Sequence, residues 1–448
     1  MKQIDPTIFK AYDIRGTYPD QFDEDIAYRI ARAYAQKVKP KLVVVGRDMR
    51  TSGPSIVDAV TRGLIEQGCG VVHIGVTSTP MFYYAVNALE GDAGIMITAS
   101  HNPEGYNGFK MTGPEAIPSI AFVSNEELYG VSNAGVFEAS GKKGEFRGEV
   151  SPLEGYIDAA LKTSGVKDFG DLKIVIDAAN GMGGMILPHL LAKANCTVFP
   201  LYWEVDGTFP NHEANPIKDE TLDALKARVI AEGAHLGVAY DGDGDRVGFV
   251  DEKGNTVPGD MITALIAKEM LKEKPGAKII YDLRSSWAVK EEIKAAGGEP
   301  VIYKVGHGLI KRYMREIGAY FGGELSSHYY FSNFYITDNG DLAMLKIIQL
   351  LVAEKQPLSE LVAPMLRYHH SPEINSTVKD VNAKLAEIKE IYKAGHQFEL
   401  DGLTVEFDDW WFNVRPSQTE PLLRLNVEAK TAEALEARTE ELLHIIRS

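Results

Sequence analysis

The chain is poor in cysteine. Cys69 and Cys196 are the only two in 448 residues, too few for a disulfide framework. Neither has the neighbours of a Cys/His metal site, and both fit as small buried residues. Long apolar runs are missing too: none approaches the ~20 residues that cross a bilayer. Met1-Lys2-Gln3-Ile4-Asp5 lacks the apolar core of a secretory signal, so a cytoplasmic location is expected. Positive charge is scarce, with 47 Lys and Arg against 63 Asp and Glu and a formal charge of -16. Such a surface repels nucleic acid and acidic membranes, so neither is expected as a partner. An anionic ligand would have to be met by cations gathered in one cleft.

What is present is a regular alternation of strand and helix signals. Lys41–Val45 is a β-branched run closed by Gly46-Arg47-Asp48. A helix through Ile56, Val60 and Leu64 follows Ser52-Gly53-Pro54, and Gly70–Ile74 reads as the next strand. Thr79-Pro80 starts a short aromatic helix that leads to a buried strand, Ala93–Ile97. The pattern recurs twice more. The fold class expected is α/β, with three similar mixed or parallel-sheet α/β domains in series and a smaller C-terminal α+β domain. Boundaries placed in polar, glycine-containing segments give units 1–151, 152–252, 253–366 and 367–448, with 364–372 as a linker.

Each unit places polar residues directly after a strand, where open α/β sheets bind ligands. After Ala93–Ile97 comes Thr98-Ala99-Ser100-His101-Asn102-Pro103. Ser100 there reads either as a nucleophilic or phosphate-carrying hydroxyl or as a simple helix cap. Gly105 and Gly108 let the following chain fold back and bring Lys110 toward Ser100, although a solvated lysine fits as well. Tyr12 and Arg15 suit a substrate-facing loop or an ordinary one.

Asp241-Gly242-Asp243-Gly244-Asp245-Arg246 carries the strongest local signal. Three carboxylates at alternate positions repel one another unless a cation joins them, and the glycines let the loop wrap tightly; an acidic turn with no metal is the alternative. Oxygen-only donors point to a hard cation, Mg2+ or Ca2+. An EF-hand is excluded, because its sixth position holds Arg246 rather than glycine and the flanks read as strands. Further on, Lys304-Val305-Gly306-His307 ends one strand. Glu324, Ser326 and His328 alternate, so on an extended segment they share one face suited to sugar hydroxyls. In the last unit Arg415, Ser417, Thr419 and Arg424 make either a phosphate clamp or a plain hairpin.

With these loops in hand, the chain resembles the α-D-phosphohexomutase family in its phosphomannomutase/phosphoglucomutase branch. The likeness spans essentially the whole chain. It is carried by the Ser100, Asp241–Arg246, Gly323–His328 and Arg415–Arg424 loops in the family's order, with support from Tyr12–Gly16, Gly46-Arg47-Asp48, Asn107–Lys110 and Gly306-His307. Two positions depart from the family pattern: Gln418 where Asn is usual, and Ser327 where Gly is common.

The resemblance implies four domains around a central cleft, the fourth a mobile lid. It implies interconversion of hexose 1- and 6-phosphates of mannose or glucose through a phosphoserine at Ser100. Mg2+ would be held by Asp241, Asp243, Asp245 and a phosphoserine oxygen, with a hexose 1,6-bisphosphate as intermediate and activator. Lys110, Arg15 and Arg246 would neutralise charge on the moving group, with Lys110, His307 and His328 as candidates for proton transfer. Tyr12, Lys304, Glu324 and Ser326 would meet the sugar. Arg415, Ser417, Gln418, Thr419 and Arg424 would hold the non-reacting phosphate. Hexose phosphates are the expected partners, and a monomer or weak oligomer is the expected state. The rival readings are a phosphoglucosamine mutase, a sugar-phosphate hydrolase or bisphosphate synthase, and a non-catalytic metal-binding repeat protein.

Overall fold

The computed structural model describes residues 2–192, 194–416 and 422–448. Ser417, Gln418 and Thr419, the middle of the expected clamp, lie outside the described residues. Among the described residues the strands fall into four sheets.

The first sheet contains β1 (Ile14–Thr17), β2 (Leu42–Arg47), β3 (Gly70–Val76), β4 (Ala93–Ile97), β5 (Tyr106–Thr112) and β6 (Phe146–Glu149). The second contains β7 (Lys173–Asp177), β8 (Thr197–Leu201), β9 (Leu236–Tyr240), β10 (Val247–Val250) and β11 (Thr256–Val257). The third contains β12 (Lys278–Asp282), β13 (Glu299–Tyr303), β14 (Phe321–Gly323), β15 (Tyr329–Phe331) and β16 (Thr337–Asp338).

One wiring recurs in all three. The orders β3-β2-β4-β5, β8-β7-β9-β10 and β13-β12-β14-β15 each have three parallel strands and then an antiparallel fourth. The link between the last two strands is therefore equivalent in each unit. It carries Ser100 in the first, Asp241–Arg246 in the second and Glu324–His328 in the third. The domain-scale repeat expected from the sequence thus aligns the three loops on which the site is built.

The helices form for ordinary reasons. Glu24–Val38 begins where the Asp23 side chain accepts from Ile26 N–H at 2.9 Å, and it ends at Lys39 in a left-handed conformation. Its buried face, with Ile26, Ile30 and Ala33, belongs to the core of the first unit. The second and third units share one apolar core, with Ile176, Val238 and Phe249 from one and Ile266, Phe321 and Leu345 from the other. Tyr156 donates a hydrogen bond of 2.5 Å to Asp341 within that shared core. The second sheet also runs past residue 252, because β11 pairs with β10 across the Asp251 turn.

The fourth sheet runs β17 (His369–His370), β22 (Leu422–Ala429), β21 (Trp410–Pro416), β20 (Leu403–Glu406) and β19 (His396–Phe398), with β18 (Ile374–Thr377) also on β22. The segment 364–372, expected as a linker, corrects to part structure: its β17 residues pair with β22, because His369 and His370 find free ladder positions beside Ala429 and Glu428. Helices Val381–Ile391 and Ala432–Arg447 complete the core of this unit through Ile388, Leu442 and Ile446. Contact with the third unit is partly aromatic, with Tyr368 edge-on to Trp287 at 5.7 Å, and partly polar. Trp287 donates from its backbone N–H to Glu428 (2.9 Å) and from its indole to Glu406 (3.1 Å). No helix among the described residues is long and apolar enough to cross a membrane.

Candidate active site

Ser100 sits past the end of β4 with φ +52, a left-handed conformation that costs a non-glycine residue free energy. Arg50 holds it there. This buried guanidinium donates to the carbonyls of Ser100 (2.8 Å), Asn102 (2.6 Å), Pro103 (2.6 Å) and Tyr106 (2.9 Å), and to Asp48 (3.1 Å). The Ser100 N–H donates to Thr98 Oγ1 at 2.9 Å. With its backbone so fixed, the Ser100 hydroxyl donates to Asp241 Oδ2 at 2.8 Å and lies 3.3 Å from His101 Nδ1.

The two glycines of the aspartate turn have separate tasks. A Cβ on Gly242 would come 2.6 Å from the Ser100 carbonyl oxygen, so only glycine lets the two loops touch. Gly244 takes φ +79, which reverses the chain so that Asp245 faces inward. Asp241, Asp243 and Asp245 are all buried, and one oxygen of each lies within 4.8 Å of the others. Thr79 (2.7 Å) and Lys110 (2.8 Å) donate to Asp243 Oδ2, and Lys110 also pairs with Asp245. Asp243 Oδ1 and Asp245 Oδ1 are buried with no hydrogen-bond partner among the described residues. Buried, unpartnered carboxylate oxygens on one turn are the donor set that a hard cation completes, so a buried acidic cluster able to hold a metal ion is present.

The electrostatics divide these groups. Burial and the adjacent Asp243 and Asp245 carboxylates push the pKa of Asp241 well up. Burial would raise Asp245 as well, but Lys110 and His328 outweigh it and hold that carboxyl low. Burial opposes the charge on Lys110, yet Asp243 and Asp245 more than restore it, so Lys110 stays an ammonium ion. For His101, burial, Arg246 and Arg15 all favour the neutral ring.

A second cluster joins the first and third units. Asp13 accepts from Arg15 at 2.9 Å and lies 3.1 Å from His307 Nε2, and Arg15 also donates to Asn102 at 3.0 Å. Burial is the larger influence on His307 and lowers its pKa despite Asp13. Tyr12 packs edge-on against His307 at 4.5 Å. The His328 ring lies 3.2 Å from Arg246 Nε, 3.3 Å from Glu324 and 3.6 Å from Asp245. Burial and Arg246 favour a neutral ring there, but the two carboxylates prevail and bring its pKa to about 8.

The expectation of an extended Glu324–His328 segment is corrected. Ser327 takes φ +65, Ser327 N–H donates to the Glu324 carbonyl (3.0 Å), and Glu324 N–H donates to the His328 carbonyl (3.0 Å). The segment is a tight turn between β14 and β15, and it brings the three side chains together by reversal rather than by alternation. Ser327 occupies a backbone conformation that favours glycine. Ser326 Oγ lies 3.2 Å from His328 Nδ1, while Glu324 is buried and accepts from Tyr330 and from Gly306 N–H (2.8 Å).

Tyr12, Arg15, His101, Arg246 and His307 line a cavity of about 670 Å³ together with Arg415 and Arg424, while Ser100, Lys110, Glu324, Ser326 and His328 are not among its lining residues. Six Lys or Arg side chains face it against three carboxylates, so cations are focused here in a chain of charge -16. Lys304 does not line it; its ammonium stands 5.9 Å over the Tyr303 ring. Arg284, which also lines the cavity, was not singled out from the sequence. Its signal was present in Asp282-Leu283-Arg284, where Asp282 grips the guanidinium at 2.8 and 3.2 Å. Asp13 and Glu373 were missed as well.

Four family models match in sequence order: the phosphoglucomutase/phosphomannomutase alpha/beta/alpha domains I (6–126), II (154–254) and III (258–368), and the C-terminal domain (373–445). The phosphomannomutase of Salmonella montevideo is 38% identical over 453 residues, covering 99% of each chain. The phosphomannomutase/phosphoglucomutase of Pseudomonas aeruginosa is 37% identical, covering 96% of this chain and 93% of its own. A solved phosphoglucomutase/phosphomannomutase family protein from Burkholderia thailandensis superposes with a TM-score of 0.89 at 33% identity, covering 99% of this chain and 97% of that one. The chain belongs to the phosphoglucomutase/phosphomannomutase family.

Proposed function

We propose that this protein is a phosphohexomutase, an isomerase that interconverts the 1- and 6-phosphates of mannose and glucose through a phosphoserine and a hexose 1,6-bisphosphate. The observation that carries this reading is the Ser100 hydroxyl, fixed by its strained loop and donating to Asp241 at 2.8 Å. Asp241, Asp243 and Asp245 would hold Mg2+ together with a phosphoserine oxygen, and the ion would neutralise charge on the transferring group.

In the forward step the bond from phosphorus to Ser100 Oγ breaks as the free hydroxyl oxygen of the sugar bonds to phosphorus. Ser100 Oγ leaves as an oxyanion whose charge the ion held by the aspartate turn would offset, and the proton of the sugar hydroxyl leaves to a base. The imidazoles His307 and His328 are the two candidates for that base. Lys110 is held charged and stabilises the moving phosphoryl group instead, as do Arg15 and Arg246. The bisphosphate then turns over in the cleft and returns its other phosphate to Ser100, so it also serves as activator.

Tyr12, Glu324, Ser326 and His328 meet the sugar in this reading, with Lys304 at the margin. Arg415, Ser417, Gln418, Thr419 and Arg424 hold the phosphate that does not react. The division into units 1–151, 152–252, 253–366 and 367–448 gives each unit one of these tasks, the last closing as a lid to exclude water.

A panel of the 1-phosphates of mannose, glucose and glucosamine, assayed with Mg2+ and glucose 1,6-bisphosphate, tests the reading. Mannose and glucose phosphates are expected to isomerise fastest. A clear preference for glucosamine phosphate would transfer the chain to the aminosugar branch, and release of free phosphate in place of isomer would make it a hydrolase.

A further inference from the structure

Arg415 and Arg424 face each other directly across β21 and β22. Like charges at opposed cross-strand positions destabilise a sheet unless an anion stands between them. Glu373, the residue before β18, supplies one. It pairs with Arg415 Nη2 through one carboxylate oxygen and lies 3.4 Å from Arg424 Nη1 through the other. Asp401 is a more distant second acid, 3.9 Å from Arg415 Nη1. All four side chains line the cavity, and Arg284 of the third unit lines it with them. Burial would favour protonated Glu373, but Arg415, Arg284 and Arg424 together keep it ionised.

We propose that Glu373 is a resident counter-anion of the arginine clamp, so that binding of a hexose phosphate is an exchange in which the phosphate takes guanidinium donors that Glu373 holds in the open cleft. The proposal rests on the mutase reading for the identity of the incoming anion. The chemistry behind it is general. A phosphate dianion offers three acceptor oxygens and more charge than a carboxylate, so it displaces Glu373. When the phosphate leaves, Glu373 takes the arginines back and they are never left facing one another uncompensated. An enzyme that must release its bisphosphate from the clamp once per turnover gains from such a partner: grip is weaker, and release is faster. Glu373 is therefore a residue that sets phosphate affinity, and it reaches the reacting atoms only through Arg415 and Arg424.

The test is titration calorimetry of the full chain with mannose 1-phosphate and, separately, inorganic phosphate, on wild type, Glu373→Gln and Glu373→Asp. Glutamine keeps the shape and removes the competing charge. The expected result is a Kd about five- to tenfold lower for both anions in Glu373→Gln. It should be matched in turnover by a lower KM and a lower kcat, as release becomes slower. A residue that only orients the arginines would give the reverse, a raised KM, and an unchanged or raised Kd in Glu373→Gln overturns the exchange. Should Glu373→Gln fail to fold, Glu373→Asp decides: a carboxylate too short to span both arginines should tighten binding by a smaller factor, and weaker binding contradicts the proposal. Failure of the mutase reading looks different. It would appear as binding of inorganic phosphate tightened by Glu373→Gln while no hexose phosphate binds either protein. Absence of phosphate binding in every form would overturn the clamp itself.

Discussion

The serine–aspartate junction and the arginine clamp are built on opposite plans: the clamp lines the cavity, whereas the junction is buried behind its His101 and Arg246. At the junction each group is fixed by buried contacts from distant parts of the chain. Arg50 binds four carbonyls of the Ser100 loop, Gly242 touches the Ser100 carbonyl, and Lys110 spans two aspartates. At the clamp two arginines stand side by side on an antiparallel ladder, and Arg424 keeps about a third of its side chain exposed. Its unit meets the third through polar and aromatic contacts around Trp287. Under the proposed mechanism the difference separates two requirements of phosphoryl transfer. The reacting centre has to be set in advance, because charge stabilisation works only where donors need no rearrangement. In the proposed mechanism the distal phosphate has to be gripped and released, which a partly exposed site with a buried Arg415 and a half-buried Arg424 allows.

Substitutions at the two sites should fail in different ways. The largest loss is expected at Ser100: Ser100→Ala should lower mutase kcat by at least about 10³-fold while calorimetric binding of hexose phosphate persists. Retention of turnover would remove the distinction between the two sites. Next is Asp243→Asn, expected to cost about 10²- to 10³-fold in kcat and to blunt the response to added Mg2+. An Mg2+ titration identical to wild type would count against the aspartate turn as the metal site. Arg424→Ala should act mainly on KM, by roughly 10- to 100-fold, the worth of a charge-assisted hydrogen bond. A loss confined to kcat would give the clamp a role in chemistry.

The smallest effect is on stability alone and lies beneath the junction. Asp341 is buried at the junction of the second and third units, and burial raises its pKa from 3.8 to about 6 despite the Tyr156 hydrogen bond. A carboxyl whose folded pKa lies above its unfolded value binds more protons when folded. It therefore adds stability as pH falls from about 6 toward 3.8 and costs stability above 6. Two pKa units correspond to roughly 3 kcal/mol, an upper figure for the gain of Asp341→Asn at pH 7.5. Urea melts should show that gain shrinking toward pH 4 with turnover unchanged. A pH-independent difference would mean that Asp341 titrates alike in the folded and unfolded chain, against the upward shift that burial gives it.

The sequence was most legible where function is local. The aspartate turn writes its carboxylates and glycines in six consecutive residues, and Ser100 follows an apolar run that reads as a buried strand. Strand ends were readable to within a residue or two for the same reason, since periodicity is a short-range signal. What could not be read depends on distance along the chain. Arg50 looks like any arginine until its partners, about fifty residues away, are folded onto it. Glu373 lies forty-two residues from Arg415 and carries no motif of its own. The short β6 and β17 exist only because a neighbouring strand offers a free edge, so polar residues at those positions read as loop and linker. The Glu324–His328 alternation misled because one left-handed residue, Ser327, turned an apparent strand into a reversal.

One measurement bears most directly on the central claim. The full-length protein, incubated with glucose 1,6-bisphosphate and Mg2+, is digested and its peptides are weighed. The account predicts a single added phosphoryl group on the peptide containing Ser100, which is lost when a hexose monophosphate is added in excess. Full mutase activity with that peptide never phosphorylated, or with the phosphoryl group on another residue, would contradict it.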